Sequence, residues 1–217
     1  MALATNNATS TPQMYVDRLA GYGVRVETWQ VINSVQAVTS YLSQKFPDGG
    51  TVYVIGEAGI TEALEEKGFT IGEKDSIAVV VGMDRTLSYE KLSRATLLIR
   101  AGVPFIGTNP DRTFPTPEGL VPGAGAILAA IESASYVTPL ILGKPSPAMY
   151  QLALERLGTT PQETLVVGDR LETDISGAQA IGCRTALVLS GVSSAADASA
   201  WQPPPDIIAK NLASLVA

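Results

Sequence analysis

Gly168-Asp169-Arg170-Leu171-Glu172-Thr173-Asp174 follows the largely apolar run Thr164-Leu165-Val166-Val167 and precedes Ile175-Ser176-Gly177-Ala178-Gln179-Ala180-Ile181. The short run reads as a buried strand and the following stretch as a helix. Two acidic residues therefore stand at a strand-to-helix turn, at the carboxyl end of a parallel strand, where open α/β sheets bind ligands. Carboxylates there suit a hard, oxygen-seeking cation such as magnesium. They can equally serve as helix caps, through Asp169 or Thr173.

The same alternation extends in both directions. Downstream, residues 184–189 read as a strand. Beyond Pro203-Pro204-Pro205 come a short strand at Ile207-Ile208 and a terminal helix. Upstream, residues 139–142 read as a strand and residues 147–157 as a helix ending at Gly158. Residues 1–5 end a strand, followed by a polar turn and a helix that opens at Pro12 with Thr11 as cap. Val31, Val35, Val38 and Leu42 have helical spacing and predict one helix over residues 28–43. The break Phe46-Pro47-Asp48-Gly49-Gly50 reads as a linker.

A second αβ series then begins. Strands are predicted at residues 51–55, 76–82 and 103–106, and helices at 60–67, 88–101 and 124–135. Residues 107–119, with three prolines, read as a long irregular loop. Strands alternating with helices predict a parallel α/β architecture.

Composition narrows the chemistry. The chain has 217 residues, of which 46% are hydrophobic, enough for a sizeable core. Its net charge is −6 with scattered Lys and Arg, so no nucleic-acid or anionic-membrane surface is expected. No apolar run approaches the ~18 residues of a membrane span. The single cysteine, Cys183, reads as a buried thiol. With no basic leader at residues 1–7, a cytoplasmic protein is expected. The chain has no histidine, which excludes imidazole bases and His-ligated zinc.

Three stretches just after strands are candidates for one site: Thr5-Asn6-Asn7, Gly143-Lys144-Pro145-Ser146-Pro147 and the acidic turn. A hydroxyl with backbone amides, an ammonium and a metal-binding carboxylate make a clamp for phosphoryl oxygens. Thr5, Lys144 and Asp169 are expected to converge. Taken singly, each has a plainer reading, as a turn cap, a solvated loop lysine or a helix cap.

In this order the three stretches resemble the second, third and fourth motifs of the haloacid-dehalogenase-like (HAD) phosphatases of the NagD and p-nitrophenylphosphatase type. Val81-Gly82-Met83-Asp84-Arg85, Thr108-Asn109-Pro110-Asp111 and Val121-Pro122-Gly123-Ala124-Gly125 are also similar to that family. The resemblance covers essentially the whole chain. It implies a parallel Rossmann-like core from residues 1–43 and 139–217, with an inserted α/β cap domain at 44–138. It implies that Thr5 binds the phosphoryl group with help from Asn6, and that Lys144 neutralises charge in catalysis. Asp169 would ligate Mg2+, with Asp174 in support. Asn109, Asp111, Arg112 and Phe114 would belong to the cap face that screens a small phosphorylated metabolite. A homodimer through the cap is a further family analogy.

One departure counts against activity. Family members carry an Asp-x-Asp at the end of their first strand, where the first Asp is the nucleophile that becomes an aspartyl-phosphate. No Asp-x-Asp occurs in this sequence. The chain as given is therefore expected to be inactive, as a shortened or mis-started product or as a pseudoenzyme that still binds phosphate or metal. A dinucleotide site at Val54-Ile55-Gly56-Glu57-Ala58-Gly59 is the remaining alternative. It lacks the full glycine spacing and would set Glu57 against a pyrophosphate.

Overall fold

Strands and helices alternate along the chain in the computed structural model, which describes residues 1–216, and they gather into two units, Met1–Gly143 and a second that starts at Lys144. In the first unit, β1 (Leu3–Thr5) leads through α1 (Pro12–Gly21) to β2 (Val31–Asn33) and α2 (Ser34–Lys45). The strands β1 and β2 pair in parallel, with Thr5 opposite Asn33. Helix α1 starts as its sequence dictates. Pro12 occupies the first turn, and the Thr11 side chain accepts the Met14 N–H.

The single helix expected over residues 28–43 is instead a 3-10 turn (Thr28–Gln30), the strand β2 and the helix α2. The reason is a capping box. The Asn33 side chain accepts the Gln36 N–H at 3.0 Å, and the Gln36 side chain accepts the Asn33 N–H in return. That arrangement fixes the helix start at Ser34. It leaves the β-branched Val31 and Ile32 to pair as a strand, fully buried.

The chain continues through β3 (Gly50–Ile55), α3 (Ala58–Glu65), β4 (Phe69–Ile71), β5 (Ser76–Val81), α4 (Tyr89–Arg100) and β6 (Phe105–Gly107). It then forms β7 (Thr113–Thr116), β8 (Gly119–Pro122), α5 (Ala124–Ser135) and β9 (Leu140–Ile141). Strands β4-β3-β5-β6-β9, in that order, make one parallel sheet. Its core includes Ile55, Val79, Val81, Ile99, Phe105, Leu128 and Ile131. Each such side chain contributes about 1.5–3 kcal/mol when fully buried.

The stretch expected to be an irregular loop holds an antiparallel hairpin, β7–β8, with Phe114 opposite Val121. Pro117 and Glu118 supply the two-residue turn. Pro115 is tolerated because a two-stranded ribbon leaves an outer edge that needs no N–H.

The second unit runs through α6 (Pro147–Leu157), β10 (Leu165–Gly168), α7 (Ser176–Ala180), β11 (Arg184–Val188), α8 (Ala195–Ala200) and β12 (Ile207–Ala209). Its parallel sheet has the order β10-β11-β12. The middle strand is buried through Thr185, Ala186 and Leu187. On β10, Val166 packs with Tyr150, Ala178 and Cys183, while Leu165 and Val167 stay 43% and 39% exposed. Helix α8, capped by Ser194, is additional to the sequence reading, and the terminal helix is only a 3-10 turn, Leu212–Leu215. Among the described residues no helix is long and apolar enough to cross a membrane.

Candidate functional site

The acidic turn of the second unit is wider than an α-turn. Residues Leu171–Ile175 form one turn of π-helix, in which the Arg170 carbonyl accepts the N–H groups of both Asp174 and Ile175. π-Turns recur at functional sites. This one turns the buried Asp174 side chain back towards the end of β10. Its Oδ2 accepts the backbone N–H of Asp169 at 3.2 Å and of Arg170 at 3.1 Å, and its Oδ1 accepts the Lys144 ammonium at 2.7 Å. The two side chains are only 15% and 11% exposed, so this charge-assisted bond is well shielded from water.

Lys144 and Asp169 are thus linked through one carboxylate. Asp174 supports the turn through both of its oxygens. Tyr150 braces the turn from below. Its hydroxyl donates to the carbonyls of Thr173 at 2.7 Å and Asp174 at 3.0 Å. Burial, reinforced by the nearby Asp174 charge, pushes the Tyr150 hydroxyl far above its ordinary value, so it remains a donor.

Asp169 is held by the loop that follows β11. Its Oδ2 accepts the Val192 N–H at 2.9 Å, and its carbonyl accepts the Ser193 N–H at 2.9 Å. Gly191 makes this approach achievable, since a Cβ there would lie 2.1 Å from Asp169 Oδ2. The Ser193 hydroxyl accepts the Leu171 N–H. Of the two acidic side chains in this turn besides Asp174, Asp169 is held by the 191–193 loop and Glu172 is exposed. No cluster of three or more Cys, Asp or Glu side chains forms a ready-made metal cage among the described residues.

The first unit carries the other candidate residues. Thr5 ends β1, and its Oγ1 accepts the Asn7 N–H at 3.2 Å. A hydroxyl that accepts in this way still has its own proton to donate. The Asn6 carbonyl accepts from Ser34 Oγ and from Asn109 Nδ2, both at 2.8 Å. Asn6 Nδ2 donates to Asp111 Oδ2 at 3.3 Å, and Asn109 Oδ1 accepts the Asp111 N–H.

Asn6, Asn109 and Asp111 are therefore brought together, bonded to one another. Arg112 and Phe114 are not part of that cluster. Arg112 is exposed, with its carbonyl accepting the Gly123 N–H. Phe114 lies on β7 under the Arg85 guanidinium, which also pairs with Glu57.

Several contributors escape the sequence reading: Ser34, Tyr150 and the segment 191–193. Gly191 carries a signal, being a glycine just past the carboxyl end of a strand, where another part of the chain comes close. Tyr150 carries none, because an aromatic on an apolar helix face reads as core.

Comparison with known proteins places these features in a family. Residues 1–70 match the haloacid dehalogenase-like hydrolase model, and residues 141–215 match a HAD-hydrolase-like model. The acid sugar phosphatase of Staphylococcus aureus (strain USA300) is 37% identical over 214 residues, 98% of this chain and 82% of that protein. The 5'-nucleotidase YutF of Bacillus subtilis (strain 168) is 40% identical over 87% of this chain and 73% of its own. The structure of NagD from E. coli K-12 superposes with a TM-score of 0.93 at 35% identity, covering 98% of this chain and 83% of that one.

Proposed function

The chain belongs to the haloacid-dehalogenase-like hydrolases as a NagD-type phosphatase, and from that premise we propose that its site serves Mg2+-dependent hydrolysis of small phosphomonoesters. The observation that carries this reading is the Asp174 carboxylate, shared between the Lys144 ammonium and the amides of Asp169 and Arg170. It fixes a positive charge beside a turn whose first carboxylate, Asp169, can hold a cation. One protein carboxylate with no cage around it suits magnesium, which keeps several waters and takes further oxygens from a phosphate. When bound, the metal supplies charge neutralisation at phosphoryl oxygens. Thr5 donates its hydroxyl proton to the phosphoryl group, and Lys144 offsets its charge. In the complete family form, the reaction proceeds through an aspartyl-phosphate.

The names of the relatives, an acid sugar phosphatase and a 5'-nucleotidase, support a small phosphorylated metabolite as substrate. We assign residues 1–43 and 139–217 to the core and 44–138 to the cap, with Asn109, Asp111, Arg112 and Phe114 on the substrate side of the cap. A cytoplasmic location and a homodimer through the cap complete the proposal.

The sequence contains no Asp-x-Asp, so these 217 residues by themselves should give no more than trace hydrolysis while still binding phosphate, as a pseudoenzyme would. Losing a nucleophile removes several orders of magnitude of rate. The test is turnover of p-nitrophenyl phosphate with and without magnesium. Robust turnover that disappears in Asp169→Ala would show that another carboxylate acts as nucleophile. Failure to bind orthophosphate at all would overturn the site assignment.

A further inference from the structure

The segment 5–10 is held at both ends by two consecutive residues of the β2–α2 junction. Asn33 Nδ2 donates to the Ser10 carbonyl at 3.0 Å, and Ser34 Oγ donates to the Asn6 carbonyl at 2.8 Å. Asn33 and Ser34 are both buried, and Ser34 is completely so. From the other side Asn109, also buried, donates to the same Asn6 carbonyl at 2.8 Å. Gly143 closes the packing around this point. A Cβ on it would lie 2.9 Å from Asn6 Oδ1, 3.1 Å from Ser34 Cβ and 2.3 Å from the Thr108 carbonyl.

A carbonyl oxygen has two lone pairs, and here both are taken by buried donors. The peptide group is planar and trans, so fixing the Asn6 C=O also fixes the Asn7 N–H, which points the opposite way from the same plane. That N–H is the one donated to Thr5 Oγ1 at 3.2 Å. With its lone pair engaged, the Thr5 hydroxyl has a restricted arc in which to aim its proton.

We infer that Ser34 and Asn109 are positioning residues that orient the Thr5 hydroxyl through the Asn6–Asn7 peptide group. Neither needs to touch a substrate. The inference rests on the reading of Thr5 as the phosphoryl-binding hydroxyl, and it gives Asn109 a role through its bond to the Asn6 carbonyl in addition to its place on the substrate side of the cap.

The test uses the whole chain with inorganic phosphate and Mg2+. Affinity is read by calorimetry, and the Asn7 amide by proton–nitrogen NMR without ligand. Ser34→Ala and Asn109→Ala should each weaken phosphate binding about 10-fold, the usual worth of one buried hydrogen bond. Each should also shift the free-state Asn7 amide resonance. Thr39→Val is the control, because it removes a buried hydroxyl from the same helix, one that donates to the Gln36 carbonyl and not to the 5–10 segment. It should lower the melting temperature while leaving both readouts unchanged. If either alanine variant fails to fold, the other tests the same carbonyl from a different element.

Parent-like binding and an unmoved Asn7 amide in a folded variant would overturn the inference. If the parent chain itself fails to bind phosphate, the functional reading falls, and the Asn7 amide alone decides whether the positioning exists.

Discussion

The five-stranded sheet and the three-stranded sheet are both parallel, yet they are finished differently. In the first, β5 is paired on both sides, and Val79, Val80 and Val81 are wholly buried. In the second, β10 pairs only with β11 and leaves Leu165 and Val167 partly in water. Parallel strands normally have both faces covered. The contrast shows that the acidic turn is hung from the less covered of the two sheets. The turn is fixed from two sides, by Leu171 and Ile175 packed with Leu187 and Ala198 and by the polar scaffold around Asp174.

Hydrogen exchange gives the largest expected contrast. The amides of Val79–Val81 should exchange roughly 1,000-fold more slowly than those of Leu165–Val167, reflecting local opening of a half-covered strand. Equal, strong protection in a demonstrated monomer would break the comparison.

Truncations should sharpen it within one sheet. Leu187→Ala, on the buried middle strand, should cost about 3 kcal/mol in urea unfolding, whereas Leu165→Ala should cost less than about 1 kcal/mol. Similar costs would mean that β10 is as well packed as β11.

Each sheet also carries an Asp–Lys pair just past the carboxyl end of its strands. Asp174 bonds Lys144, and Asp84, after β5, bonds Lys91, both at 2.7 Å. Lys91 is 35% exposed against 15% for Lys144. Asp174→Asn should therefore cost more, about 3 kcal/mol, because it strands a shielded ammonium and weakens the acceptor of two turn amides. Tyr150→Phe should add to that cost by less than the sum of the two single variants, since both act on one turn.

Asp84→Asn should cost about 1.5 kcal/mol at neutral pH. Burial alone would raise the Asp84 carboxyl, but bonds from Lys91 and Thr86 outweigh it and hold the group below its ordinary value. A lowered native value means that the stabilisation is complete above the unfolded value near 3.8 and fades as pH falls through the native one. The parent and Asp84→Asn should therefore converge in stability at acid pH, as measured by urea unfolding across a pH series. A gap that widens on acidification would reverse the sign.

What could be read from the sequence follows from how local its causes are. Thr11-Pro12 and Ser146-Pro147 start helices by capping chemistry confined to two residues, and both stand where the sequence puts them. The acidic turn is equally plain, because an apolar run, two acids and a helix are adjacent. Strand β2 was hidden because Val31 continues the helical spacing of Val35 and Val38. The Asn33-Ser34-Val35-Gln36 box was the cue that separates them. The β7–β8 hairpin was hidden by its own Pro115. Ser34 was not legible as a site residue and Gly191 only faintly so, since each matters through a residue distant along the chain, Asn6 for the one and Asp169 for the other, and no periodicity records that.

The π-turn at Leu171–Ile175 places a constraint on the length of this segment that is separate from any constraint on its side chains. An α-helix advances about 100° per residue, so losing one residue between Asp169 and Asp174 would let the turn relax into regular helix and swing the later carboxylate to another side of the axis. A library of this segment should therefore accept many replacements at the exposed Glu172, yet reject deletion of either Glu172 or Thr173. Here the count of residues, as much as their identity, decides where the one carboxylate that joins Lys144 to Asp169 can stand.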